Sequence, residues 1–340
     1  MNVDGRDTAT IEVRPQEAGR PIERTKTYVP LLTDFLVVGQ VVPFHVFCRT
    51  QNNQLEILFE QGTEFTAEMK TNLVRENQTN RLYVRADQSQ TMIHYAEEMI
   101  GTLLMDSSIE MPSKCRLIQG LTTSLSEQVF EKPTAANIGR QRQNVFHMVD
   151  FVLREPSAAK GLIRLTHHDY RTYTHSVNVG IYGLLIAETH LGQQQKHNLH
   201  ELAAGFFLHD LGKCKVPLEI INKNGPLDEE EWVEIRKHPA YGMTILEEQN
   251  LLTEEARIIT VQHHEKMTGN GYPYALKGSD IHLYARICSV ADAFDALTTE
   301  RSYKPALLPF EALSIMKEEM HAQFDPEIFK SFVLLMQKRV

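Results

Sequence analysis

Between Tyr28 and about Arg85 the apolar positions come in short runs rich in β-branched and aromatic residues: Phe35–Val38, Val41–Val42, Phe44–Phe47, Leu55–Phe59 and Arg81–Val84. That pattern predicts strands, with turns at Gln51-Asn52-Asn53 and Gln61-Gly62. One helix is predicted from Thr66 to Glu76, with Thr66 as its N-cap. From Gln88 to about Arg164 the period changes to that of a helix, as in Met92, Tyr95, Ala96, Met99, Ile100, Leu103 and Leu104. Pro112, Pro133 and Pro156 break this stretch into pieces. From Thr166 onward nearly everything is helical by period, apart from one glycine-punctuated loop, Lys266 to Gly278. Such a loop inside an all-helical domain calls for a functional explanation.

The expected organisation is a disordered tail (1–27), a small α+β domain (28–105), a helical connector (106–140) and an all-helical domain (141–340). The fold class is mainly α. The small domain carries no catalytic constellation, so it is expected to regulate or dimerise the rest.

Composition narrows the function. Hydrophobic residues make up 42% and charged residues 23%, which excludes a disordered or low-complexity chain. The apolar stretch Leu31 to Phe47 is interrupted by Asp34, Gln40, Pro43 and His45, so no membrane span is expected. Residues 1–20 lack an apolar signal segment, and a cytoplasmic protein is expected. Four scattered cysteines form no CxxC pair, which fits reduced thiols. The net charge of −9, without a basic block, disfavours duplex nucleic acid. A small anion stays compatible if metal ions or a few cations reverse the field in one cleft.

The histidines point to chemistry: ten of the fifteen fall between His167 and His264. His209-Asp210 ends the apolar run Leu202–Leu208, where an isolated pair would simply be a hydrogen-bonded core histidine. It is not isolated. His175, His238, His263-His264 and Asp292 supply further nitrogen and oxygen ligands from other helices, enough for two transition-metal ions. Adjacent helical residues point about 100° apart, so His263 and His264 can converge only near a helix end. Asp210 is the candidate bridging carboxylate of a two-metal site.

His209-Asp210 with Lys213, His263-His264-Glu265, Gly271-Tyr272-Pro273, Asp292–Thr298, Arg301–Lys304 and Phe324-Asp325-Pro326 together resemble the HD-GYP family of bacterial cyclic dinucleotide phosphodiesterases, over roughly Arg164 to Phe332. The resemblance implies that 141–340 is a catalytic HD-GYP domain. It implies a first metal site of His175, His209, Asp210 and Asp292, and a second of Asp210, His238, His263 and His264. The ions would be iron, with manganese the alternative; mixed histidine and carboxylate ligation also suits zinc. The implied reaction is attack of a metal-bridging hydroxide on cyclic di-GMP, giving linear pGpG and then GMP. Lys213, Arg301 and Lys304, with Arg286 weaker, would meet the phosphate charge. Gly269 and Gly271 let backbone approach a ligand or take positive φ, and Tyr272 either presents its ring to a guanine or packs as a lid.

Two departures stand out. Arg171 occupies the position where family members with a third metal carry Glu, which predicts two metals. Thr268 replaces the acidic residue of the usual loop. The alternatives are hydrolysis of 3',3'-cyclic GMP-AMP, a non-hydrolytic adaptor that senses cyclic dinucleotides, and an HD-type hydrolase of ordinary nucleotides. A homodimer through the connector and signalling protein partners complete the expectations.

Overall fold

The computed structural model describes residues 27–50, 54–75, 82–166, 172–192, 197–300 and 306–339. The chain divides into two compact units, with the break after Leu117.

The first unit contains β1 (Tyr28–Pro30), β2 (Val41–Val42), β3 (Val46–Arg49), β4 (Leu55–Phe59), β5 (Thr63–Glu64), α1 (Ala67–Arg75), β6 (Leu82–Arg85) and α2 (Ser89–Met105). An antiparallel sheet runs in the order β1-β6-β3-β4, with β2 and β5 pairing separately. Pairing of Phe47 with Tyr83 sets the central register, and a bulge lies between Val46 and Phe47. Phe44, Val46, Phe65, Leu82 and Val84 form the core under α2, which contributes Tyr95, Ala96 and Ile100. The Tyr95 ring meets Phe44 edge to face, and its hydroxyl accepts the Val37 N–H at 3.3 Å. Thr66 caps α1 by accepting the Met69 N–H at 3.2 Å, as its residue type predicts.

One predicted strand is not there. Phe35 closes a 3-10 turn, Thr33–Phe35, and Leu36 to Val38 run on without strand pairing. Gly39, at φ 84°, then turns the chain so that its N–H meets Phe65 O at 2.8 Å. β-Propensity was overridden because Phe35 and Leu36 are buried against the core rather than paired along a ladder.

The remaining chain is helical: α3 (Met111–Glu131), α4 (Ala135–Arg154), α5 (Ala158–Leu165), α6 (Thr172–Leu191), α7 (Leu199–Leu208), α8 (Leu218–Ile221), α9 (Glu229–Ile235), α10 (His238–Glu248), α11 (Glu254–Gln262), α12 (Leu283–Thr298), α13 (Pro309–Glu318) and α14 (Pro326–Arg339). The prolines lie where the sequence places breaks: Pro112 in the first turn of α3, Pro133 before α4 and Pro156 before α5. The segment 106–140 is thus α3, a turn and the start of α4. Gln141 and Asn144 of α4 donate to Ser126 and Thr122 of α3, each at 2.7 Å, so a buried polar seam fixes the register of this hairpin.

In the second unit α6 is buried along almost its whole length and packs on α7, α12 and α14. Side-chain caps start the helices around it: Asn198 accepts from Glu201, Asp228 forms a capping box with Glu231, and Thr253 accepts from Ala256. Among the described residues no helix is long and apolar enough to cross a membrane.

Candidate metal centre

Five segments deliver ligand-type side chains to one point. His175 projects from buried α6. His209 is the C-cap of α7, where the apolar run Leu202–Leu208 has already closed the core, and Asp210 follows before a 3-10 turn, Leu211–Lys215. His238 opens α10, His263 is the C-cap of α11 with His264 just beyond, and Asp292 lies on α12. The helix end expected at His263 is present, and it brings the His263 and His264 rings to 4.1 Å between centroids.

The 3-10 turn that carries Asp210 lies directly on α10. A Cβ on Gly212 would stand 1.9 Å from His238 O, so only glycine lets the Asp210 and His238 backbones come this close.

The seven side chains form two groups. In each, one ligand atom from every member lies within 4.8 Å of the others: Asp210, His238, His263 and His264 in one, His175, His209 and Asp292 in the other. Asp210 faces both. Its Oδ1 is 3.2 Å from His238 Nε2 and 3.7 Å from His263 Nε2. Its Oδ2 is 3.4 Å from His175 Nε2 and 3.5 Å from His209 Nε2.

The far side of each ring explains what the near side can do. His209 Nδ1 lies 2.8 Å from Phe206 O, His238 Nδ1 2.7 Å from Ile235 O, and His263 Nδ1 3.0 Å from Thr260 O. A carbonyl only accepts, so each Nδ1 carries a proton, and the ring's one remaining nitrogen, Nε2, points inward as a potential metal ligand. His238 Nε2 and His263 Nε2 stand 3.3 Å apart, close enough for one cation, a proton or a metal ion, to be shared between them. Among the described residues the buried atoms His209 Nε2 and Asp210 Oδ1 have no hydrogen-bond partner. Leaving such atoms unmet costs about 1–3 kcal/mol each. The donor set therefore fits divalent metal ions, and it contains no thiolate.

Charge balance agrees. Burial lowers His209 to about 4 and His238 to about 3, more than the Asp210 carboxylate raises them, so both rings are neutral near pH 7. Burial also drives His264 well below its ordinary value. Burial alone would raise Asp210, but the Lys213 ammonium and the His209 ring hold it well below the usual carboxylate range. Asp292 is held low against burial by His175 and His264. For His175 burial acts downward, and hydrogen bonds to Asp210, Asp292 and Asp295 outweigh it and hold the ring well above its ordinary value. Carboxylates on either side of its Nε2 demand positive charge there, which a proton or a metal ion supplies.

Lys213 Nζ sits 2.5 Å from Asp210 Oδ2, beside the metal groups as its motif position implies. Gly269 has φ 84°, and Gly271 has its neighbours so close that a Cβ would stand 2.5 Å from Glu265 Cα. Tyr272 stacks on His264 at 4.6 Å between centroids, so its ring covers a ligand. Arg286 is engaged within the fold, by Asp325 at 2.7 Å and Ile281 O at 2.9 Å. Arg171, Arg301 and Lys304 lie outside the described residues.

Two contributors carry no role of their own in the sequence reading, where they stand only as members of motifs. Asp295 Oδ2 accepts from His175 Nδ1 at 2.7 Å while Oδ1 accepts from Asn178 at 2.8 Å, so this buried carboxylate aims the His175 ring. Its signal was available: three residues after Asp292, it shares that residue's helix face. Glu265, buried beside the histidine pair, accepts the N–H groups of Tyr274 (2.7 Å) and Leu276 (3.0 Å) and so ties down the glycine loop. Asp295→Asn should weaken metal binding at the His175 group by about 10- to 100-fold and leave the other group loaded. Titration with Mn(II) followed by electron paramagnetic resonance would resolve the two classes; equal affinity in variant and wild type would remove the positioning role.

Comparison with known proteins places this geometry. The family described as HD domain matches residues 171–328. The cyclic di-GMP phosphodiesterase PA4108 of Pseudomonas aeruginosa is 36% identical over 182 residues, 54% of this chain and 43% of that one. The 3'3'-cGAMP-specific phosphodiesterase 3 of Vibrio cholerae is 36% identical over 228 residues, 66% of this chain and 46% of that one. The chain thus spans less than half the length of either relative. Among solved structures, Bd1817, an HDG"Y"P protein from Bdellovibrio bacteriovorus, superposes with a TM-score of 0.64 at 20% identity, covering 91% of this chain and 99% of its own. At that identity the likeness shows the fold alone.

Proposed function

We propose that this chain, whose second unit belongs to the HD-GYP family of HD-domain proteins, is a metal-dependent phosphodiesterase that opens cyclic di-GMP to linear pGpG and then GMP. The observation that carries this reading is the convergence of four imidazole Nε2 atoms on the two oxygens of one buried carboxylate, Asp210.

His175, His209, Asp210 and Asp292 would hold one ion, and Asp210, His238, His263 and His264 the other, with Asp210 as the bridge. Iron is the expected metal and manganese the alternative. Bound there, two divalent ions supply a hydroxide nucleophile near neutral pH and draw charge from the phosphate oxygens. The chain's own groups do the rest. The Asp210 and Asp292 carboxylates balance part of the cation charge, so a substrate phosphate can still enter. Lys213, 11% exposed, faces the substrate side and can move from Asp210 to a non-bridging phosphate oxygen as charge develops there. Arg301 and Lys304 are assigned the outer phosphate oxygens, and Arg286 a weaker share. Water oxygen joins phosphorus, the bond to the ribose oxygen breaks, and that oxygen leaves with a proton. Tyr272 and the loop around Gly269 shield the site from bulk water.

Opening of 3',3'-cyclic GMP-AMP is the second reading, favoured by the Vibrio cholerae relative, whose match extends over more of this chain. Residues 28–105 contain none of the ligands, and we assign them a tuning or homodimerising role, open to signalling partners.

The test is anion-exchange analysis of products from cyclic di-GMP, with anaerobically purified protein and added Fe(II) or Mn(II). Appearance of pGpG is the expected result, at a rate above that for 3',3'-cyclic GMP-AMP. Loss of neither substrate by metal-loaded protein would leave the adaptor as the surviving alternative.

A further inference from the structure

Trp232, the only tryptophan in the chain, is 46% exposed on the surface of α9. Four residues later, on the same helix face, stands Arg236, also exposed. The Arg236 guanidinium lies 5.5 Å from the centroid of the Trp232 ring and 5.4 Å from that of Tyr272. Tyr272 in turn stacks on His264. Two ring contacts thus lead from a solvent-exposed guanidinium to a ligand of the metal centre.

The carboxylate nearest in sequence is occupied. Glu234 receives Lys237 Nζ at 2.6 Å and the Tyr241 hydroxyl at 2.9 Å. Among the described residues Arg236 has no carboxylate partner, so its guanidinium lies near two rings with its donors unspent. Cation–π contacts of this kind orient a guanidinium without consuming its hydrogen bonds.

We propose that Arg236 reads a guanine base of the substrate, with Trp232 beside it as a stacking surface; this rests on the phosphodiesterase reading above. The placement decides which part of the nucleotide arrives. A phosphate under attack must sit at the metal ligands, and the Tyr272 ring stands between His264 and Arg236, so what reaches the guanidinium is the flanking base. The chemistry decides which base. The N7/O6 edge of guanine offers two acceptors to the two parallel N–H groups of an arginine, whereas adenine sets a donor against one of them. Aromatic stacking adds affinity that does not depend on base identity.

The experiment compares the full chain with Arg236→Ala and Arg236→Lys, loaded with Mn(II), on cyclic di-GMP and cyclic di-AMP. The wild type should prefer cyclic di-GMP. Arg236→Ala should shrink that preference in kcat/KM by about tenfold, mainly through KM, with the metal content per chain unchanged. Arg236→Lys should restore little, because an ammonium lacks the planar fork. A preference that survives in both variants, or an equal rise of KM for both substrates, would overturn the base-reading role in favour of phosphate binding or loop packing. A wild type without preference would overturn it as well. Metal-loaded wild type that opens neither compound would instead sink the phosphodiesterase reading on which the inference stands.

Discussion

Asp210→Ala should strip both ions from the chain and end phosphodiester turnover. Asp210 meets most of both groups, since Oδ1 points to His238 and His263 while Oδ2 points to His175 and His209, whereas Asp292 reaches only His175 in one and His264, at 3.7 Å, in the other. Removing it leaves Asp292 as the one carboxylate among the remaining candidate ligands to offset the charge of two close cations. Metal ions lower the pKa of bound water to near neutrality, so their loss should reduce kcat by about four orders of magnitude or more. Asp210→Asn keeps the shape without the charge and should behave in the same way. Inductively coupled plasma mass spectrometry and a turnover assay on the same sample check both halves of the prediction, with circular dichroism to confirm the fold. A variant that kept two metals and a measurable fraction of the wild-type rate would refute the bridging role.

Lys213→Ala should spare the metal and still slow the reaction. The ammonium competes with metal ions for Asp210 Oδ2, where it stands at 2.5 Å. Without it the buried carboxylate has one cation fewer, so metal affinity should hold or rise. The transition state loses a preorganised donor, which costs about 10²- to 10³-fold in kcat. Parallel metal titration and kinetics separate the outcomes. Loss of metal together with rate would make Lys213 a support for the centre rather than a partner of the phosphate.

Much of this centre is legible in the sequence because five of its seven candidate ligands, His209, Asp210, His238, His263 and His264, sit at helix ends, and helix ends leave marks. His209-Asp210 follows an unbroken apolar run, His263-His264 precedes a glycine-rich loop, and His238 is followed by a proline that starts α10. Each mark says that the next side chain is free to leave the helix surface. The prolines at 112, 133 and 156 bound the helices for the same local reason.

What the sequence hides depends on contacts between distant segments. Phe35–Val38 has strand composition, yet its burial against α2 and the turn at Gly39 decide its conformation. Asp295 is one carboxylate among many until α6 brings His175 and Asn178 against it, 120 and 117 residues away in sequence. Arg236 looks like an ordinary charged residue until the loop carries Tyr272 over it. Arg286, conversely, gains importance from its neighbourhood in the sequence, while in the fold its guanidinium meets Asp325.

The number of metal ions per chain in active wild-type protein is the most direct measure of the centre. Protein purified anaerobically, reconstituted with Fe(II) or Mn(II), desalted and shown to hydrolyse cyclic di-GMP should contain two ions per chain by plasma mass spectrometry, and chelation should remove the metal and the activity together. A ratio near three or one in the active sample, or activity that persists after complete chelation, would contradict a two-metal centre bridged by Asp210.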